Sequence, residues 1–385
     1  MSESINHDYL YSEILAWLAS NPIKDELINA GKPAVAIATA KNERRENQDR
    51  AVYVNFRSKQ PERCFSLLAV LDGMGGMVDG RKCAEIAISS IVTNLLRIPR
   101  SPNRLSIIEA INIANSDIAR LYHGTGGTTF AGLFIETKRA YAINVGDSRI
   151  YKADQVKGLI QKSSDDRLGN HLAKMKGLEG ISLNPDIADR LGQYVGMKNP
   201  IRTNVSILDY NNLTSPNSYF ILTTDGAHEV GSKSIAESAE KNNTPYCVAQ
   251  SIINSSVHGS SSDNATVLCV DASLLLNEEL TPSNFDQLRV WSSHGVFNFV
   301  IIPPTKEKRD PDQLPQADDR TEREYKSDSK GTNLSKKLSV KVKQKKFPDL
   351  SQENHEEPAS SGSPKNKLTI EQLTFEPLPE DDSPT

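Results

Sequence analysis

Five aspartates stand at the ends of apolar, strand-like runs, and each lies beside small or polar residues that favour a turn. A single aspartate in such a place is ordinary, because its side chain caps the turn and a following glycine supplies positive φ. The repetition favours a shared site instead. The aspartates occur in the segments RRENQDR (Asp49), LDGMGG (Asp72), NVGDS (Asp147), TTDGA (Asp225) and SSDNA (Asp263).

If the strands converge at one end of a sheet, these carboxylates crowd together, and their mutual repulsion raises their pKa values and destabilises the fold. A divalent cation between them would relieve that repulsion. The ligands would be oxygen atoms only, which suits Mg²⁺ or Mn²⁺ rather than zinc or copper. The glycines at 73, 75 and 76 would let backbone carbonyls approach such an ion. Two such cations favour hydrolysis, because they activate a water for in-line attack on phosphorus.

The elements that must position these aspartates are strands and amphipathic helices. Leu10, Ile14 and Leu18 repeat at helical spacing and predict an N-terminal helix. Two further amphipathic helices are predicted between residues 88 and 121, with strands before and after them. The strand-like runs are PAVAIATA, AVYVNF, SLLAVL, TFAGLFIE, RAYAINV, SRIYKA, SYFILTT and ATVLCVD. This order predicts an α+β fold with mostly antiparallel sheet.

The chain divides into four segments. Residues 1–30 are predicted to be a helical extension, 31–272 the main domain, and 273–302 a hairpin-like segment packed on it, since LRVW and VFNFVII are separated by SSHG. Residues 303–385 hold ten of the twenty prolines and few large apolar residues, so they are predicted to be a disordered tail. Its basic run, 331–346, precedes an acidic stretch; these charges either are simply solvated or dock an acidic partner.

The composition also argues against several classes of protein. A net charge of -4 over 385 residues gives no nucleic-acid-binding footprint. The four cysteines lie far apart without a CxxC pair, which indicates reduced thiols rather than disulfides or a zinc site. The N-terminus lacks the basic start of a signal peptide, and no apolar run approaches the roughly 18 residues that span a bilayer. We therefore expect a cytoplasmic protein that binds neither nucleic acid nor membrane.

The motifs together resemble a known family, the metal-dependent protein phosphatases of the protein phosphatase 2C (PPM) type, in their bacterial form. RRENQDR is similar to the family's RxxNxD opening, and LDGMGGMVDG is similar to its DGMGGxxxG block. Three further blocks match in the same order: GTT with NVGDSRIY, then LTTDGAHE, then DNATV. The five blocks together span residues 44 to 267. The resemblance implies a four-layer α-β-β-α sandwich, in which helices flank two antiparallel sheets and metal ions bind at one end of the sheets.

The resemblance also implies a role for each matched residue. Asp72 would bridge two ions, Mn²⁺ or Mg²⁺, and the carbonyl of Gly73 would serve the first of them. Arg44 would bind the phosphate, because a planar guanidinium suits a phosphate dianion. The remaining carboxylates would be Asp49, Asp225 and Asp263 at the second ion, and Asp147 and Glu229 at a weaker third ion. For Asp147 the alternative is a turn aspartate that bonds to Arg149 or to the backbone.

The sequence departs from the family pattern at several positions. Met74 stands where many members have a histidine proposed as general acid, so leaving-group protonation would rely on water. The TxDH block is reduced to SSDD at 163–166, with Asp166 where histidine is expected. The stretch that follows, up to Leu191, corresponds to the family's substrate-access flap and has an unusual sequence. His228 would be either a metal ligand, or a histidine that lies at the surface or behind the ligands.

These inferences predict a serine/threonine protein phosphatase, a monomer whose substrates are phosphoserine and phosphothreonine proteins and whose partners include a cognate serine/threonine kinase. One alternative is a regulatory protein that uses a degenerate phosphatase-like fold and the tail to hold a partner. Another is a phosphatase for a sigma-factor antagonist or a small molecule. A kinase fold is disfavoured, because no glycine-rich phosphate loop precedes a helix.

Overall fold

The structure is a computed structural model, and it describes most of the chain before residue 302. The described residues are 7–20, 26–29, 34–74, 76–136, 139–154, 157–173, 185–188, 190–208, 218–259, 261–271, 273 and 282–301. The predicted tail, 303–385, lies outside them.

The strands and helices that the sequence predicted occur in the predicted order, together with others that it did not predict. The strands are β1 (Glu26–Asn29), β2 (Val35–Ala40), β3 (Arg50–Arg57), β4 (Phe65–Leu71), β5 (Phe130–Glu136), β6 (Arg139–Val145), β7 (Arg149–Asp154), β8 (Gly158–Gln161), β9 (Asn204–Leu208), β10 (Tyr219–Thr223), β11 (Ala265–Asp271), β12 (Asp286–Ser292) and β13 (Gly295–Ile301). The helices are α1 (His7–Ala19), α2 (Gly80–Arg97), α3 (Arg104–Tyr122), α4 (Leu168–Ala173), α5 (Pro185–Ala188), α6 (Asp225–His228), α7 (Ser232–Lys241) and α8 (Pro245–His258), with a 3₁₀ turn at Pro61–Arg63.

The strands form two sheets, in the orders β1-β2-β11-β10-β7-β8 and β13-β12-β3-β4-β5-β6-β9. Every pairing between these strands is antiparallel. β12 and β13 form a hairpin, and β12 pairs with β3 at the edge of the seven-stranded sheet. The predicted α+β class and the four-layer sandwich are confirmed.

Both faces of each sheet are covered, which explains why many strands are continuous apolar runs in the sequence. In β2, Val35 and Ile37 pack between the two sheets. The residues between them, Ala36 and Ala38, face the opposite way and pack against α7 and α8. Successive side chains of a strand point to opposite faces, so a strand with two covered faces has no position exposed to solvent. The other sheet is covered in the same way by α1, α2 and α3.

Some elements were not predicted from the sequence. β1 lies inside the segment expected to be a helical extension, yet it pairs with β2 and forms the edge of the six-stranded sheet. The helix pair α7 and α8 was also not identified from the residues. α8 begins with the side chain of Thr244 accepting a hydrogen bond from the backbone N–H of Cys247, with Pro245 in its first turn, a standard helix start.

Two expectations from composition can be compared with the described residues. The four cysteines are all free thiols, so no disulfide links them. In the described part of the chain, no helix has both the length and the apolar character needed to cross a bilayer.

Candidate metal centre

The loops that carry the aspartates open at the same end of the sandwich. β3 begins opposite the end of β4, so Asp49 and Asp72 are neighbours at that end of the seven-stranded sheet. In the other sheet, β10 ends opposite the beginnings of β7 and β11. This register places Asp225 at the same end as Asp147 and Asp263. The convergence of strand ends that the sequence predicted is therefore present.

Asp49 is the most deeply buried of these carboxylates, with 1% of the residue exposed. The hydroxyl of Thr224 donates to its Oδ2 at 2.8 Å, and Thr224 is itself fixed by the backbone N–H of Thr266 at 2.9 Å. Oδ1 of Asp49 has no hydrogen-bond partner among the described residues. Burial raises the pKa of Asp49 to about 7; the negative charges of Asp225 and Asp263 add to the rise, and hydrogen bonds oppose it.

Asp72 and Asp225 are in direct contact through a hydrogen bond between their carboxyl groups. Burial, together with the charges of Asp225 and Asp49, raises the pKa of Asp72 well above its ordinary value. Burial likewise raises the pKa of Asp225 to about 6. The backbone N–H of Gly226 donates to Asp225 Oδ1 at 2.6 Å and orients this carboxyl. The pair of carboxyls therefore keeps a proton to higher pH than separate, exposed carboxyls would, and a cation could replace that proton.

Asp263 contacts the predicted phosphate-binding residue. Nη2 of Arg44 lies 2.6 Å from Asp263 Oδ2, and 45% of the Arg44 side chain is exposed. The loops around the pair are joined by hydrogen bonds from the side chain of Asn42 to the carbonyl of Asp263, 2.7 Å, and from the N–H of Gln48 to the side chain of Asn264, 2.8 Å. Arg44 therefore stands at the open mouth of the carboxylate group.

Gly73 lets the Asp72 loop approach the neighbouring backbone. A Cβ at this position would lie 2.6 Å from the carbonyl oxygen of Gln48 and from the backbone of Gly80. Only glycine allows such an approach without a shift of the backbone. The N–H of Met74 then donates to the carbonyl of Gly127 at 3.2 Å. Gly73 thus lies between the Asp49 loop and the start of α2, where its carbonyl could serve an ion.

Asp147 is buried and forms an ion pair that the sequence did not predict. Its Oδ2 lies 3.3 Å from Nη2 of Arg167. Arg149, the partner considered from the sequence, instead binds the carboxylate of Asp165 at 2.6–3.1 Å through both Nε and Nη2. Burial raises the pKa of Asp147, and Arg167 opposes the rise. Its charge acts on Asp225, so Asp147 borders the carboxylate group.

Glu229 and His228 are adjacent in the sequence but differ in burial. The carboxylate of Glu229 is exposed and accepts a hydrogen bond from the hydroxyl of Ser261 at 3.0 Å. His228 is buried, so it is not a surface residue, and its Nδ1 lies 3.1 Å from the hydroxyl of Thr223. Burial and the nearby positive charge of Arg149 lower the pKa of His228 to about 3, which keeps the ring neutral.

The donor set suits a hard divalent cation. The candidate ligands are carboxylate and backbone oxygens. Within the described residues, Oδ1 of Asp49 has no hydrogen-bond partner, and the carboxyls of Asp72 and Asp225 are in contact. Mg²⁺ or Mn²⁺ would satisfy these oxygens. Within the described ranges, however, no three His, Cys, Asp or Glu side chains already form a group that could hold an ion. The aspartates are neighbours rather than a closed cage, and binding would need side-chain rotation, including release of Asp263 from Arg44.

A buried ion pair behind Asp49 was missed from the sequence. Arg50 is fully buried and donates to Glu85 of α2 through Nε, 3.1 Å, and through Nη2. Its Nη1 donates to the carbonyls of Asn47, 3.2 Å, and Asp49, 2.7 Å. The pair thereby ties the backbone on both sides of the candidate ligand to α2. The one available signal was an arginine at the start of an otherwise apolar strand.

Replacing Arg50 with Met should lower the free energy of unfolding by about 3 kcal/mol, because it leaves the buried carboxylate of Glu85 with only a longer contact, 3.6 Å, to Nε of Arg81. Chemical unfolding monitored by circular dichroism measures this loss. The double variant Arg50→Met/Glu85→Leu removes both charges and should recover most of the stability. Equal losses in the single and double variants would show that the desolvated charge is not the cause.

Comparisons with known proteins support the fold. No family model and no curated protein matches the chain. Among solved structures, the chain is similar to the serine/threonine phosphatase of S. agalactiae, with 24% identity, a TM-score of 0.51 and coverage of 61% of this chain and 98% of that one. It is also similar to the serine/threonine phosphatase Stp1 from Staphylococcus aureus, with 18% identity, a TM-score of 0.51 and coverage of 65% and 98%.

A third similar structure is a bacterial serine phosphatase, with 18% identity, a TM-score of 0.50 and coverage of 63% and 97%. At such identities the likeness shows the fold. The chain has the fold of the PPM-type serine/threonine phosphatases, and the resemblance inferred from its motifs is confirmed at that level. Its candidate ligands lie on loops at one end of that fold.

Proposed function

We propose that this protein is a metal-dependent phosphatase that hydrolyses phosphoserine and phosphothreonine in other proteins. The observation that supports this most directly is the group formed by Asp49, Asp72, Asp225 and Asp263. Four loops from two sheets bring these carboxylates to one end of a phosphatase fold, and three of the four have raised pKa values. An arrangement that costs stability without a ligand is typical of a functional site.

The roles of the chain's own residues follow from their positions. Asp72, which contacts Asp225 and lies beside Gly73, would hold two divalent cations, Mn²⁺ or Mg²⁺, together with the carboxylates of Asp49, Asp225 and Asp263. When bound, such cations make a water acidic enough to act as nucleophile near neutral pH. The hydroxyl of Thr224 donates to the carboxylate of Asp49, and the guanidinium of Arg50 donates to the backbone carbonyl of Asp49, so this ligand is oriented before an ion binds.

Arg44 would bind the phosphate. Because its guanidinium is half exposed and pairs with Asp263 at the mouth of the site, it can turn from that carboxylate to a phosphate dianion without leaving a buried charge behind. Met74 offers no proton, so the leaving serine or threonine oxygen would take its proton from water. The substrates would be products of a serine/threonine kinase, which is therefore a proposed functional partner.

The third-ion role that the resemblance implies for Asp147 and Glu229 has weaker support. Arg167 pairs with Asp147, and the carboxylate of Glu229 is exposed and engaged by Ser261. The proposed function needs only the two-ion centre.

The proposal is tested by assaying hydrolysis of phosphoserine, phosphothreonine and phosphotyrosine peptides with Mn²⁺, with Mg²⁺ and with EDTA. We expect phosphoserine and phosphothreonine to be hydrolysed with either metal and neither to be hydrolysed in EDTA. Turnover that survives EDTA, or hydrolysis of phosphotyrosine alone, would contradict the proposal. Metal binding without any turnover would favour the regulatory alternative.

A further inference from the structure

The ion pair between Arg167 and Asp147 lies at the border of the candidate metal centre. Nη2 of Arg167 is 3.3 Å from Asp147 Oδ2, and 28% of the arginine side chain and 10% of the aspartate side chain are exposed. The charge of Asp147 raises the pKa of Asp225, a candidate ligand. A positive group therefore already faces the carboxylate at which the resemblance implies a third ion.

Arg167 is held in this position by its neighbours. Its backbone forms an isolated β-bridge with Leu191, and the N–H of Leu168 donates to the carbonyl of Arg190 at 2.8 Å. Its Nε lies 4.0 Å from the carboxylate of Asp165, which Arg149 fixes in turn. The result is an alternating row of charges in the order Asp147, Arg167, Asp165, Arg149. The backbone of Arg167 is held by hydrogen bonds, and its guanidinium lies between two carboxylates.

A guanidinium and a divalent cation compete for the same carboxylate. A cation next to Asp147 would lie close to a fixed positive charge, and such like-charge repulsion is strong where water is partly excluded. The two positive groups therefore exclude each other unless Arg167 turns away, which would also break its contact with Asp165.

We propose that Arg167 is a built-in counter-ion of Asp147, so that this chain binds two divalent cations tightly and a third only after Arg167 is removed. The inference rests on the proposed two-ion function and assigns Arg167 a positioning role. If Arg167 has this role, the rate of hydrolysis rises in a single phase as the metal concentration increases, and no second activation occurs at higher metal concentration.

The experiment counts bound Mn²⁺ by calorimetry and by the electron paramagnetic resonance signal of free Mn²⁺, without substrate. We expect two ions on the wild-type protein and a third, weaker ion on Arg167→Ala, with at least about ten-fold higher affinity than any third ion on the wild type. Arg167→Lys keeps the charge and should bind only two ions, like the wild type. Arg167→Ala/Asp147→Asn should lose the third ion again.

The controls separate this inference from the proposed function. Arg120→Ala removes one positive charge from an exposed pair with Asp117 on α3 and should bind Mn²⁺ like the wild type. Arg167→Gln, which keeps hydrogen bonding without charge, replaces the alanine variant if that variant unfolds. A wild-type protein that binds no Mn²⁺ tightly would overturn the proposed function. Two tight ions on the wild type with no third ion on the alanine or glutamine variant would overturn only the role of Arg167. A third ion that persists in Arg167→Ala/Asp147→Asn would overturn it as well.

Discussion

Asp225→Asn is expected to reduce Mn²⁺-dependent hydrolysis of a phosphoserine peptide by at least about 100-fold, which corresponds to about 2.7 kcal/mol of lost transition-state stabilisation. Asparagine keeps the size and one oxygen of the side chain but removes the charge that offsets a dication. Asp225 also contacts Asp72, so the substitution weakens the group at its shared ligand. Steady-state rates, together with Mn²⁺ affinity from calorimetry, measure the effect.

The fold should be retained in this variant. Asp225 is partly buried beside two other carboxyls, so removing its charge relieves repulsion, and the melting temperature in EDTA should not fall. Asp263→Asn should lose activity in the same way, whereas Asp117→Asn on α3 should behave like the wild type. Near-normal rates at saturating Mn²⁺ in either site variant would refute the ligand role of that residue.

The sequence predicted the fold well because two kinds of local signal coincide. Strands buried on both faces become continuous apolar runs, as in β2 and β4, and these are visible without any tertiary information. Asp72 follows such a run directly, Asp225 follows one after two threonines, and each precedes glycine. Antiparallel pairing then brings alternate strand ends to one edge, so the common position of the aspartates could be anticipated.

The partners of these residues could not be predicted, since they depend on contacts between distant parts of the chain. Glu85 lies 35 residues from Arg50 and contacts it only because α2 packs over β3. Arg167 reaches Asp147 through a loop that departs from the family pattern at SSDD. β1 was not recognised within the predicted helical extension. It has only four residues, and such a short strand is stabilised by its pairing with β2 rather than by its own sequence pattern.

The second large effect concerns stability in the absence of metal. In EDTA, the free energy of unfolding should fall as the pH rises from about 4 to about 7. The pKa of Asp49 is about 7 in the folded protein and 3.8 as its ordinary value, so within this window the folded state holds a proton that the unfolded state has released. The contribution of this proton to the free energy of unfolding is fully present below the ordinary pKa. It is lost as the pH rises through the pKa of the folded protein, and the loss is about 4 kcal/mol.

Urea unfolding at a series of pH values measures this dependence, and comparison with Asp49→Asn isolates the contribution of Asp49. The variant cannot release a proton at this position, so its stability should exceed that of the wild type increasingly as the pH rises. Asp225, with a pKa raised to about 6, contributes a slope of the same sign in both proteins. Mn²⁺ should reverse the loss in the wild type at pH 7.5, because binding to the ionised carboxylates stabilises the folded state alone. Parallel curves for the two proteins across pH 4–8 would show that Asp49 ionises normally and that burial does not make this site dependent on a cation.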